Sequence, residues 1–234
     1  MNSYGNDYGS VTQIRDVLRK IGLEWWFKVN TAAFCDETSL KSKAIGTTIH
    51  RIIQAHIEEE AFGVETDYPG EVQTAIKSFF KFKKEHPEIK LRRSEIKVVS
   101  HKYKYNGTLD CLADENKNLI LFDWKSAECK VGTDKEVEKP TIYAESEYQA
   151  TAYVKAYNEM QGFEAIRKAG ILALAKDKVA YNYLTLSAEK MDEIFERVFI
   201  PCISIYYYQK ENDKYVPKEN KGFSRKSGSL PKGF

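Results

Sequence analysis

Three side chains near the middle of the chain could do chemistry together: Asp110, Asp123 and Lys125, within NGTLDCLADENKNLILFDWKSA at 106–127. Side chains alternate across a strand, so Leu121, Asp123 and Lys125 share one face of NLILFDWKS while Phe122 and Trp124 share the other. On the preceding segment Thr108, Asp110 and Leu112 share a face, and a hairpin closing at 114–118 would bring Asp110 beside Asp123. Two adjacent carboxylates repel, and both stay ionised only around a cation. Hard oxygen ligands with open water positions suit Mg²⁺ or Mn²⁺. A lysine two residues on could orient a water or neutralise charge developing on phosphorus. Standing alone, a D-x-K tripeptide on a hairpin reads as a solvated surface pair.

The surrounding elements decide between those readings. SVTQIRDVLRKIGL has the apolar spacing of an amphipathic helix, with Gly22 as its C-cap; AIGTTIHRIIQAHIEEE is a second helix and EVQTAIKSFFKFKKEH a third, stopped by Pro87. From Ser94 the period changes to that of strands. SEIKVVSHKY, YNGTLDCLA and NLILFDWKS form a three-strand meander, with turns at Asn106-Gly107 and at 114–118. A loop at 127–146 follows, long enough to suggest function or mobility. Then come the helix SEYQATAYVKAYNEM, the strands AGILALA and VAYNYLTL, and a closing helix interrupted near Pro201. The expected fold is α/β, a central mixed sheet flanked by helices.

On the second helix, at 100° per residue, Ile49, Ile52, Ile53 and Ile57 make an apolar stripe. His56 lies within it and reads as a core histidine. His50, at the edge, can project toward the carboxylates, where a neutral imidazole is a good ligand for Mn²⁺. On the later helix Gln149 lies in an apolar stripe with Tyr153, Ala156 and Met160. A buried glutamine must find a partner, which an active-site carboxylate, the sheet's end or a DNA phosphate would supply. Tyr153, one turn on, points into the same cleft or packs in the core.

The order of these features resembles the PD-(D/E)XK nuclease superfamily: an aspartate, about a dozen residues, then D-x-K at the end of a hydrophobic strand. GTTIH at 46–50 resembles the G-x-x-x-H motif, and QATAY at 149–153 the Q-x-x-x-Y motif, of its RecB-like exonuclease branch. That branch includes mitochondrial genome maintenance exonucleases and CRISPR adaptation nucleases. The resemblance implies an αβββαβ restriction-endonuclease-like core. It also implies a metal held by His50, Asp110, Asp123 and the backbone carbonyl of Trp124, with Lys125 positioning the attacking water. Glu95 would bind a second metal or a water, and Gln149, Tyr153 and Lys125 would contact DNA. Some relatives bind an iron-sulfur cluster through four cysteines; here Cys35 and Cys202 stand without the further partners, and no cluster is expected.

The implied activity is that of a metal-dependent DNA exonuclease working from ends, on single-stranded DNA, in bacterial, viral or organellar recombination, repair or replication, with a helicase or recombination protein as partner. An endonuclease of the same superfamily and a silent DNA-binding subunit are the alternatives. Phosphates would be held by KFKKEHPEIKLRR and the basic tail from Lys210, and bases by Trp25, Trp26, Tyr103 or Tyr105. The bulk numbers agree: 234 residues at 42% hydrophobic suffice for one domain, here 1–43 as a helical segment, 44–209 as the core and 210–234 as a flexible tail. A net charge of +2 neither demands nor excludes a polyanion, since local patches decide. The four cysteines show neither zinc nor disulfide spacing, and with no signal or membrane-spanning run, a soluble cytoplasmic protein is expected.

Overall fold

The computed structural model describes residues 7–59, 68–129, 139–163 and 165–212. They form β1 (Gly9–Ser10), α1 (Val11–Arg15), α2 (Ile21–Val29), α3 (Ala32–Ile57), α4 (Gly70–Glu85), β2 (Ile89–Ser100), β3 (Tyr105–Glu115), β4 (Asn118–Ala127), α5 (Ala144–Gln161), β5 (Lys168–Ala175), β6 (Tyr181–Ser187), α6 (Ala188–Ile194) and α7 (Ile200–Asn212). A π-helical turn at Phe195–Phe199 joins the last two. It ends two residues before Pro201, whose ring cannot share the regular helical ladder with the residues before it, so the interruption expected there is a widened turn and not a break. Residues 130–138 of the 127–146 loop and the tail from 213 on lie outside the described residues.

The six strands make one mixed sheet in the order β1-β3-β4-β5-β6, with β2 pairing on β3. β2, β3 and β4 form the antiparallel meander, β4 and β5 run parallel, and β5 and β6 are antiparallel. The β3–β4 turn is made by Asn116 and Lys117, both with positive φ (51° and 71°), as a two-residue hairpin that follows the sheet's twist requires. The β2–β3 turn lies at 101–104 and not at Asn106-Gly107, which is inside β3.

Alternation along β4 sends Leu121 to one face and Phe122 and Trp124 to the other, and both faces are covered. Leu121 joins a core with α1, α5 and the closing helices; Phe122 and Trp124 join one with α3 and α4. The face that carries the charged pair is therefore a core as well. Among the described residues no helix is long and apolar enough to cross a membrane.

Two helical expectations change. The first predicted helix divides: Val11 and Ile14 are buried in α1, Val17 and Leu18 pack on the same core from a turn, and α2 starts afresh at Ile21, with Gly22 in its first turn. None of the residues of α2 is buried, so the helical spacing across 11–21 came from two separate elements. His56 is exposed instead of core. The packed row of α3 is Ile45, Ile49 and Ile53; in the last turn Ala55 is still buried but His56 is left uncovered, its ring meeting the exposed Phe80 edge-on with Lys83 Nζ 2.6 Å from its Nε2.

Phe79 is buried, with its ring perpendicular to that of Trp124 at 5.9 Å. Phe79→Ala is expected to cost about 3–5 kcal/mol in urea unfolding. His56→Ala is expected to stay within about 0.5 kcal/mol.

Candidate active site

The site begins where two strands part. β3 pairs with β4 only from Glu115 opposite Asn118 to Cys111 opposite Phe122, while its first residues, Tyr105 and Asn106, pair with β1. Carried one step past Cys111, the register sets Asp110 against Asp123 at the mouth of a fork. β4 runs on beside β5, with Trp124 opposite Leu172. Its amides on the fork side have lost the β3 ladder, and a buried N–H needs an acceptor. Asp110 provides it: the Trp124 N–H donates to Asp110 Oδ2 at 2.7 Å. On the other side of β3, Ser94 faces Cys111 and Ile96 faces Leu109, so Glu95 stands against Asp110 and three carboxylates line up across β2, β3 and β4. Glu95 is in the middle of β2, not at its start, and its φ is 49°. That left-handed backbone in a strand costs about 1–3 kcal/mol, the kind of strain that collects at functional sites.

From α3, His50 Nδ1 comes 3.5 Å from Asp110 Oδ1, and the ring hydrogen-bonds the Trp124 carbonyl. Gly46, one turn earlier, lies over β4: an added Cβ would just touch the Ser126 hydroxyl at 3.6 Å. Donor atoms of His50, Glu95 and Asp110 all fall within 4.8 Å of one another. Asp123, expected in that ligand set, stands next to it. Its Oδ2 is 2.6 Å from Lys125 Nζ, the nearest countercharge. Asp123 is 0% exposed, and apart from that ion pair neither of its oxygens has a hydrogen-bond partner.

Burial first, and then the charge of Asp123, push the Asp110 carboxyl well above the usual range, against the pull of Lys125 and the Trp124 N–H. Burial, with help from Lys125, holds the His50 imidazole below its ordinary value. A neutral ring keeps a lone pair to offer as a ligand. The site is thus rich in carboxylate oxygens and short of hydrogen bonds to them. Its donor set, carboxylates with one imidazole and one carbonyl, suits Mg²⁺ or Mn²⁺.

α5 closes the other side. Gln149 finds neither a carboxylate nor the sheet's end: Arg15 Nη1 donates to its Oε1 at 3.0 Å, and its Nε2 donates to the Tyr153 hydroxyl at 2.9 Å. Tyr153 is 5% exposed, and burial raises its phenol, with the charges of Asp123 and Asp110 adding to the effect. Its ring packs so closely on Gly107 that a Cβ there would come within 2.5 Å, so this glycine serves a close approach and not a turn. Arg15 is the residue that sequence reasoning missed; its one local mark is a position next to the buried Ile14. Of the proposed base platforms, Tyr105 is fully buried with its hydroxyl donating to the Ala152 carbonyl, while Trp25 is 64% exposed on α2.

No family model and no curated protein matches this chain. Among solved structures, the crystal structure of SSO0001 is similar at 12% sequence identity and a TM-score of 0.34, over 60% of this chain. The chain spans 60% of the length of that protein.

Asp110→Asn keeps an acceptor for the Trp124 amide and removes one of two facing charges. Because the Asp110 pKa is raised, the folded state holds its proton more tightly than the unfolded chain, and ionising it as pH rises destabilises the fold. At neutral pH and with chelator present, Asp110→Asn is therefore expected to be about 1–2 kcal/mol more stable than wild type. The advantage should fade as pH falls into the usual carboxylate range. Added Mn²⁺ should raise the melting temperature of wild type and not of the variant.

Proposed function

We propose that the chain is a divalent-metal-dependent deoxyribonuclease of the PD-(D/E)XK kind, in its RecB-like exonuclease branch, with α4, β2, β3, β4, α5 and β5 as the αβββαβ core. One observation carries the reading: Asp110 and Asp123 meet at the fork, Asp123 fully buried and Asp110 largely so, with Lys125 on Asp123 and with His50 and Glu95 beside Asp110. A surface charge pair has no need of such an arrangement. A pure binding module has less need still, since facing anions repel the phosphates it must hold.

Asp110, Asp123, Glu95, His50 and the Trp124 carbonyl would hold Mg²⁺ or Mn²⁺. When bound, the ion supplies Lewis-acid polarisation of a phosphoryl oxygen and a water of lowered pKa. Lys125 orients the attacking water and offsets charge gathering on phosphorus. The water oxygen bonds to phosphorus in line and gives up a proton to solvent as the bond to the 3′-oxygen breaks, and that oxygen leaves with a proton from solvent. Gln149 and Tyr153 border the path of the strand. Exposed Lys81, Lys84, Lys90 and Arg93 offer contacts to more distant phosphates, and Trp25 offers a face for an unpaired base. These features favour a single strand digested from an end, in recombination, repair or replication.

Linear and circular single-stranded DNA incubated with Mn²⁺ test both parts of this reading. Linear DNA should be degraded and circular DNA left intact; equal rates would refute the requirement for an end. Asp123→Ala and Lys125→Ala should each lower cleavage at least about 100-fold. Oligonucleotide binding should survive in both variants, because phosphate contacts outside the centre carry most of it. Wild-type cleavage by Lys125→Ala would refute the assigned site.

A further inference from the structure

An arginine side chain has only donors, and that fixes the direction of every hydrogen bond downstream of Arg15. Since Arg15 Nη1 donates to Gln149 Oε1, the amide of Gln149 cannot be turned over, and its Nε2 must face Tyr153. A phenolic oxygen that accepts a hydrogen bond keeps its own proton for another partner. Among the described residues the Tyr153 hydroxyl makes no second hydrogen bond. Close by, the two oxygens of buried Asp123 have no partner besides the Lys125 ammonium on Oδ2.

The chain of bonds is rigidly held at both ends. The Arg15 side chain is 14% exposed, and its Nη2 is fixed to Asp16. The Tyr153 ring is wedged against Gly107, three residues before Asp110 on the same strand, in the core that also holds Val11, so the hydroxyl has little room to swing. A surface arginine capping a glutamine would need none of this.

We propose that Arg15 is a positioning residue which, through Gln149, holds the Tyr153 hydroxyl as a hydrogen-bond donor directed into the Asp110/Asp123 cleft, where it donates to a phosphate oxygen of the substrate strand. This rests on the proposed nuclease reading and adds a residue and a direction to it. A donor among carboxylates gives a phosphate oxygen one neutral partner that does not compete for the metal. It also discriminates against anything that cannot accept a hydrogen bond there.

Gln149→Glu is the decisive substitution. A carboxylate keeps the contact to Arg15 but can only accept, so Tyr153 must turn its proton onto residue 149 and the cleft loses its donor. The expected result is a fall in kcat of roughly 100-fold at little-changed KM, the scale of losing one preorganised donor. Tyr153→Phe should lose as much, and the double variant no more than either. Arg15→Ala should lose part of the rate and Arg15→Lys recover most of it. A readout independent of cleavage is the ¹³Cζ resonance of Tyr153 in tyrosine-labelled protein. It should move in Gln149→Glu, where the hydroxyl changes from acceptor to donor, and hold its wild-type position in Arg15→Lys. An unmoved resonance in Gln149→Glu, or additive losses in the double variant, would overturn the proposal. If wild type cuts no DNA, the nuclease reading falls, while the resonance still decides the direction of the bond.

Discussion

The whole arrangement depends on one unpaired strand edge. Where β3 leaves β4, the Trp124 amide loses the neighbour that a sheet would give it, and a buried amide without an acceptor is costly. Asp110 meets that need with a carboxylate in place of a carbonyl. A carboxylate in that position lies at the level of the sheet, out of bulk water and against Asp123 on the adjoining strand. The raised Asp110 carboxyl, the neutral His50 ring and the Lys125 contact to Asp123 all follow from charge forced into a poorly solvated gap. The fold thus creates an electrostatic problem in the same place where it leaves an opening between strands.

The helices address that problem from the two faces of the sheet. α3 brings an imidazole from the side packed by Phe79, Phe122 and Trp124, and α5 brings an amide and a phenol from the side packed by Leu121, Phe195 and Phe199. Neither helix is free to shift much. α3 is held by the buried row Ile45, Ile49 and Ile53, and α5 by a run of small buried residues, Ala150, Ala152 and Ala156, that lets it lie close on the strands. Glu95, exposed on β2 with its left-handed backbone, closes the row of acids, and the pairing of β2 on β3 holds it there.

What the sequence disclosed, and what it hid, divides along the range of the interaction. Asp110, Asp123 and Lys125 were legible because a short hairpin and a period of two determine their faces, and both are local. His50 was legible from its place on the edge of an isoleucine stripe. The same helical arithmetic failed for His56, because periodicity gives the angle of a residue and not whether a neighbouring element covers it. It failed again across 11–21, where two elements happened to continue one spacing. Asn106-Gly107 carries the commonest turn signal, yet here the missing side chain makes room for a ring from α5. Arg15 was invisible for a different reason: its partner Gln149 lies 134 residues away, and only the finished fold relates them.

Trp124 occupies a double position in this account. Its indole stacks on Phe122 at 5.2 Å and meets Phe79 edge-on, deep in the aromatic core, while its amide and carbonyl look into the cleft toward Asp110 and His50. The chemically useful atoms at this position belong to the main chain, which every amino acid shares, so its identity is answerable only to the volume it fills. A saturation screen would file residue 124 with ordinary interior positions, tolerant of other large rings and intolerant of small ones. Part of the proposed catalytic apparatus would then be hidden from any survey that searches for reactive side chains.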